Sequence, residues 1–406
     1  MRILFLTPQL PYPPRQGAAL RNWGFISGLA SRHEITVLSF HASGPSAAPI
    51  ALPGVRQLET VEPPTRTYRD RLRDLLTTRR PDMALRLASA QYARRLQGLL
   101  EKQPFDVVHI GGIEMAPYLD ILTEARPRPL IVFDDLNCEY LLQKRAFITD
   151  LRVPTRWPAA LYSLIQWQRL RVYEAQVCRR ADRVIAVSEM DAEKLRGLGP
   201  GLKVAVVPNG VDTQAYLPVP VPSHPTGLVF TGTMDFRPNV DAVLWFAAKV
   251  LPRIQAEIRD IHFVVVGQRP HRRLDVLRSN PAITLTGWVE DTRPYIARAA
   301  VYVAPLRIGG GTRLKLLEAM AMGKPVVATS LGAEGYPFTA GRELLLADTP
   351  ADFASAVIEL LRSPALRLDL GQAAREFVAQ RYDWHSIVPL LERVYMDMVS
   401  QPEGPE

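Results

Sequence analysis

Short, continuously apolar runs recur along the chain between segments of helical spacing, and this alternation leaves few folds open. Ile3-Leu4-Phe5-Leu6 precedes a helix over residues 18–30 and then Ile35-Thr36-Val37-Leu38. Further runs are Asp106-Val107-Val108-His109-Ile110, Pro129-Leu130-Ile131-Val132-Phe133, Arg183-Val184-Ile185-Ala186-Val187 and Val204-Ala205-Val206-Val207. A strand without polar alternation is covered on both faces, the condition of parallel sheets flanked by helices. The pattern predicts βαβ units and an α/β fold.

Proline at nearly every second position of Leu217-Pro218-Val219-Pro220-Val221-Pro222-Ser223-His224-Pro225-Thr226 forbids both helix and central strand. The alternation restarts with Leu228-Val229-Phe230-Thr231-Gly232 and continues through residues 262–267, 282–287, 301–304 and 325–328. At 406 residues the chain suits two domains. The expected division is a first Rossmann-like domain over 1–216, a hinge over 217–226 and a second Rossmann-like domain over 227–384. Helices are expected over 350–362, 364–380 and about 386–399, with the last segment, 385–400, crossing back to the first domain. Doubly wound units bind ligands at the carboxyl ends of their strands, so a cleft between the two domains is expected there.

The formal net charge of +8 raises the question of nucleic acid, but no stacking aromatics accompany the arginines, and no nucleic-acid partner is expected. Many arginines lie in residues 56–95, interleaved with Leu72, Leu75, Leu76 and Leu85. Two readings fit this segment: contact with an anionic membrane surface, or a solvated helical face. Cys138 and Cys178 lack metal or redox spacing, and a reducing cytoplasmic location is expected, peripheral to the inner face of the membrane. The first apolar run stops at Thr7-Pro8, which reads as a core strand rather than a leader, and no run approaches the ~18 apolar residues of a spanning helix.

The strongest chemical signal is Ile308-Gly309-Gly310-Gly311-Thr312-Arg313-Leu314-Lys315-Leu316-Leu317-Glu318, continuing to Gly323-Lys324-Pro325-Val326-Val327-Ala328. Glycines let the backbone approach a ligand, and a following helix start offers unpaired N–H groups and a positive dipole end, as a diphosphate requires. Arg313 and Lys315 add cations, and Glu318 adds a carboxylate one and a half turns into the helix. The alternative is a glycine turn serving only helix–sheet packing. Tyr12-Pro13-Pro14-Arg15-Gln16-Gly17 is a second helix start, read either as a ligand loop or as a packing turn. Asp134-Asp135-Leu136-Asn137-Cys138-Glu139 follows a strand end. It suits hydroxyl recognition by Asp135 and Asn137, or equally a helix cap. His109 carries no assigned role.

Residues 309–328 resemble the donor-site signature of the retaining GT-B glycosyltransferases of family four, with an E-x7-E element before a G-x-P-V-V-A strand. The resemblance extends over nearly the whole chain, through Gly17, Val207-Pro208-Asn209-Gly210-Val211-Asp212 and Tyr382-Asp383-Trp384. It implies two Rossmann-like domains, a nucleotide-diphosphate sugar as co-substrate, and no other cofactor. It also implies a ribose contact from Glu318, nucleobase contacts from the backbone of Trp288 and Val289, and a Gly17 loop beside the transferred sugar. Two departures stand out. The first Glu of the element falls at Gly310, so the donor-sugar contact is assigned to the amides of Gly310 and Gly311, or to Glu334. The family's Arg and Lys after the first strand of the second domain are absent from Thr231-Gly232-Thr233-Met234-Asp235-Phe236-Arg237-Pro238-Asn239. Phosphate neutralisation is therefore assigned to Arg313 and Lys315, with Gly232, Thr312 and Leu314 completing the donor site.

No Asp-x-Asp element at a strand end calls for a metal, and helix-start amides with fixed cations can stabilise a departing diphosphate. The resemblance implies front-face transfer with retention, to a glycan or lipid-linked acceptor in cell-surface or exopolysaccharide synthesis. The rival readings are a non-catalytic nucleotide-sugar-binding subunit, or another GT-B enzyme such as a nucleotide-sugar epimerase or a phosphorylase.

Overall fold

The computed structural model describes residues 1–14, 17–41, 51–219, 221–222 and 224–400. The chain forms two compact units, one of Met1–Asn209 together with the chain from Trp384 onward, the other of Gly210–Asp383. The first holds a seven-stranded sheet, β1 (Arg2–Thr7), β2 (Glu34–Phe40), β3 (Gln57–Val61), β4 (Val107–Gly111), β5 (Leu130–Asp135), β6 (Arg183–Ala186) and β7 (Val204–Val206), in the order β3-β2-β1-β4-β5-β6-β7. The second holds β8 (Gly227–Thr231), β9 (His262–Val266), β10 (Ile283–Leu285), β11 (Val301–Ala304), β12 (Val326–Ala328) and β13 (Leu345–Leu346), in the order β10-β9-β8-β11-β12-β13. Neighbouring strands in both sheets pair in parallel. The expected α/β architecture of two doubly wound units is the one observed, and each sheet reverses its winding at one point, β1/β4 and β8/β11.

Two strands escape the pattern of apolar runs. β3 lies at a sheet edge and buries only Val61, so Gln57-Leu58-Glu59-Thr60-Val61 lacks the continuous apolar character of its neighbours. The segment 56–95 is accordingly a strand followed by helix Tyr68–Thr77, helix Asp82–Arg86 and the start of helix Ala90–Lys102. β13 is two residues long, too short for any periodicity.

The division between the units falls after Asn209, ahead of the proline-rich segment, of which Pro220 and Ser223 lie outside the described residues. Residues 210–216 are held by the far end of their own unit. Val211 N–H donates to the Tyr382 carbonyl (2.8 Å), and Thr213 N–H donates to the Asp383 carboxylate (3.2 Å). Helix Trp384–Ser400 then packs on helix Gly17–Leu29 of the first unit. Gly24 and Gly28 make that approach possible, because a Cβ on Gly24 would lie 2.2 Å from Trp384 Cε2 and one on Gly28 2.5 Å from Val388 Cγ2. Gly24→Ala is expected to destabilise the protein by ~1–3 kcal/mol through overpacking against the indole. Urea titration measures this, and an unchanged midpoint would show that the helix pair repacks at no cost.

Candidate functional site

The carboxyl edge of the second sheet gathers glycine-bearing loops from successive strands. Gly232 follows β8, Gly267 follows β9, Gly287 follows β10 after Thr286, and 309–311 follow β11. Gly309 (φ 104°) and Gly311 (φ 73°) adopt left-handed backbone, which a side chain there would strain. The loops after β8 and β11 flank the point where the winding reverses, the position at which such sheets bind ligands. Helix Leu314–Ala321 starts directly after the glycines, with Arg313 at its N-cap and no side chain capping its first turn. Leu316 N–H donates to the Arg313 carbonyl (2.9 Å), while no side chain caps the Leu314 and Lys315 N–H groups, the condition under which a helix start can receive an anion.

Lys315 is the residue on which the two loops converge. Its Nζ donates to Asn239 Oδ1 (2.8 Å) and lies 4.2 Å from the centroid of the Phe230 ring. A Cβ on Gly232 would stand 2.7 Å from that Nζ and 2.6 Å from Asn239 Nδ2, so only glycine leaves room for the pair. Asn239 is buried in the first turn of helix Arg237–Trp245 and donates through Nδ2 to the Thr233 carbonyl (2.9 Å). The cation missing from the sequence after β8 is thus delivered there in space by the loop after β11. Burial pulls the Lys315 ammonium down to about 7, Arg313 adds to the shift, and Glu318 opposes it. Asn239 was missed at the sequence level, although it ends the same Phe236-Arg237-Pro238-Asn239 run that opens the helix.

Arg313 turns its guanidinium back onto its own loop and donates to the Gly310 carbonyl. Glu318 Oε1 accepts from the Tyr216 hydroxyl (3.2 Å), and burial raises its pKa against the lowering influence of Tyr216 and Lys315. Tyr216 is also absent from the sequence reading. Its loop is fixed by Arg293, which donates to the Ala215 carbonyl (2.9 Å).

Trp288 is 63% exposed, and Val289 packs partly against the core. Gly310 and Gly311 are buried. Thr312 lies beside the Tyr336 hydroxyl, and Leu314 packs its side chain toward the core. Glu334 is half-buried on the loop after β12, the strand next to β11. In the first unit, Gly17 is exposed at the start of its helix, while Arg15 and Gln16 lie outside the described residues. Asp135 is buried, and its Oδ1 accepts from Cys138 N–H (3.1 Å), forming the turn that carries Asn137. Asn137 donates to Glu139 Oε1 (3.1 Å), and it is Glu174, from helix Trp157–Arg180, that accepts the N–H groups of Glu139 (2.7 Å) and Tyr140 (2.8 Å). Packed among carboxylates, Asp135 is pushed up to about 6 and Glu139 to about 8, in each case chiefly by burial.

Residues 16–215 match the family model described as Glycosyltransferase Family 4, and residues 225–363 match the one described as Glycosyl transferases group 1. The phosphatidyl-myo-inositol mannosyltransferase of Mycolicibacterium smegmatis is 31% identical over 237 residues, 56% of this chain and 59% of that protein's length. Its counterpart from Propionibacterium freudenreichii is 27% identical over 321 residues, 75% of this chain and 73% of that one. Among solved structures, sucrose-phosphate synthase from Thermosynechococcus elongatus superposes with a TM-score of 0.73 at 17% identity, covering 98% of this chain and 100% of that one. Anabaena HepE in complex with UDP superposes with a TM-score of 0.68 at 15% identity, covering 98% and 100%. At these identities the superpositions speak for the fold alone.

Proposed function

Because the chain belongs to the group 1 glycosyltransferases of the GT-B fold, we propose that it transfers a sugar from a nucleotide-diphosphate sugar to a glycan or lipid-linked acceptor, with retention at the anomeric carbon. The observation that carries the reading is the Lys315 ammonium seated against Gly232, beside a helix start without a side-chain cap. Cleaving the anomeric C–O bond builds negative charge on the leaving diphosphate. A fixed cation and oriented amides stabilise that charge without reorganising. In this reading Lys315, Arg313 and the helix start neutralise the diphosphate without a divalent cation. Glu318, held by Tyr216, accepts from the ribose, Trp288 and Val289 meet the base, and Glu334 or the Gly310 and Gly311 amides meet the sugar.

Retention follows the family's chemistry, in which the departing phosphate takes the acceptor proton and no side chain becomes a nucleophile. A lipid-linked acceptor is supported by the relatives named for phosphatidyl-myo-inositol, and we assign the transfer to cell-surface or exopolysaccharide synthesis. Acceptor recognition is assigned to the first unit at Asn137, with buried Asp135 holding the turn. The same reading places the protein in the cytoplasm, at the inner face of the membrane, with the basic segment 56–95 in contact. Among the described residues no helix is long and apolar enough to cross a membrane.

A thermal-shift panel of UDP-, GDP- and ADP-sugars tests the donor class. One of them is expected to raise the midpoint in proportion to RT ln(1 + [L]/Kd). With that donor and no acceptor, slow release of nucleoside diphosphate is expected, unchanged by EDTA. Gly310 in place of a glutamate favours one rival, a binding subunit without turnover. Donor binding with no release of nucleoside diphosphate, in membranes as in solution, would establish that rival instead.

A further inference from the structure

Helix Tyr68–Thr77 in the first unit buries none of its residues. Tyr68 (87% exposed), Leu72 (59%) and Leu76 (78%) recur every four residues and form one apolar stripe in water. The helix is nonetheless well made. Thr67 and Asp70 close a reciprocal capping box, Arg71 reaches the Tyr162 hydroxyl (3.4 Å), and Arg169 donates to the Leu75 carbonyl (2.7 Å). Those contacts hold it along helix Trp157–Arg180. That helix pairs with helix Glu139–Leu151, and beside the turn that joins them Leu151 (52%), Trp157 (60%) and, one helical turn further on, Leu161 (60%) are exposed. Trp157 Nε1 donates to the Leu151 carbonyl (3.3 Å), so the polar atom of the indole is satisfied and its apolar surface faces outward.

The surroundings are cationic. Residues 66–86 carry seven arginines against Asp70, Asp74 and Asp82, and residues 139–171 carry six lysines and arginines against Glu139 and Asp150. Several arginines are already paired, Arg66 with Asp74 and Asp82, and Arg71 with Asp82, so charge by itself is a weak anchor. An apolar stripe and an exposed indole inside a basic rim match the boundary of an anionic bilayer, where rings sit at headgroup depth and cations meet lipid phosphates. The same rim disfavours a second copy, whose like charge would face it.

We propose that helix Tyr68–Thr77 and the turn around Leu151 and Trp157 dock this protein on an anionic lipid bilayer, with Trp157 and Leu161 entering the headgroup boundary. The proposal rests on the lipid-linked acceptor argued above and replaces charge by apolar insertion as the main anchor.

The test is flotation with phosphatidylcholine vesicles, with and without phosphatidylglycerol. The full chain is expected to float with the anionic vesicles only. The double variant Trp157→Ala/Leu161→Ala should lose about tenfold or more in binding, as when two large apolar side chains no longer leave water. Its donor hydrolysis in solution and its circular dichroism should be unchanged, which separates a failure here from a failure of the transferase reading. Equal flotation of the variant and the parent overturns the proposal. So does binding indifferent to phosphatidylglycerol, or a concentration-dependent dimer that the variant abolishes in a protein that never floats.

Discussion

Lys315→Met is expected to lower turnover by ~10²–10³, the cost of removing one preorganised donor from a site of developing negative charge. The same variant should fold as well as the parent or better. In the free protein the ammonium is held to about 7 by burial, whereas an unfolded lysine keeps its proton to about 10.4. Between these values the unfolded chain binds more protons, so this group costs stability that is recovered as pH rises through the window. Removing it removes the cost. A bound diphosphate reverses the preference by stabilising the charged form. Above pH 7, donor binding should therefore take up a proton and weaken by up to ~tenfold per pH unit. Calorimetry in buffers of different ionisation enthalpy reads this directly. A flat pH profile, or near-normal turnover in the variant, would remove Lys315 from the role. Asn239→Ala should reproduce part of the loss by releasing the ammonium from its fixed place.

The second large effect is on folding. Asp134 on β5 is fully buried and takes two hydrogen bonds from Arg21, at 2.7 and 2.8 Å. Arg21, itself 1% exposed, also donates to the Val207 carbonyl (2.9 Å), the Pro208 carbonyl (3.0 Å) and Asn209 Oδ1 (3.1 Å). His109 Nε2 lies 3.4 Å from the same carboxylate, and its Nδ1 is 2.7 Å from the Tyr395 hydroxyl of the last helix. Burial raises the Asp134 pKa, but Arg21 and His109 outweigh it and hold the group at about 2. Its stabilising contribution is present above the ordinary carboxylate range and lost as pH falls toward 2. Asp134→Ala leaves a buried guanidinium without its partner and is expected to cost ~3–5 kcal/mol in urea titration. The double change Arg21→Met/Asp134→Leu should cost clearly less than the two single changes summed, because it leaves no orphan charge. Strict additivity would mean that the pair is not coupled.

Much of this is legible in the sequence. The continuous apolar runs placed most strands because a doubly covered parallel strand has no polar face to confuse the pattern. The glycine loop at 309–311 and the helix after it were legible from backbone freedom alone. β3 was not, because an edge strand is half polar, and the division after Asn209 was not, because Val211 and Thr213 owe their place to bonds with Tyr382 and Asp383. At the candidate site, Arg313, Lys315 and Glu318 announced themselves by charge beside glycine. Asn239 and Tyr216 did not, since neither residue type is informative until its partner is known.

By itself, then, the sequence determined the fold class, the two-unit organisation and the helix start after the glycines, since each follows from local periodicity and backbone freedom. What only the tertiary structure decided is where the cation goes. Gly232 and Lys315 are far apart in the chain, and no spacing rule joins them. They meet because β8 and β11 are neighbours where the winding of the sheet reverses, so the loop after one strand delivers its ammonium to the end of the other.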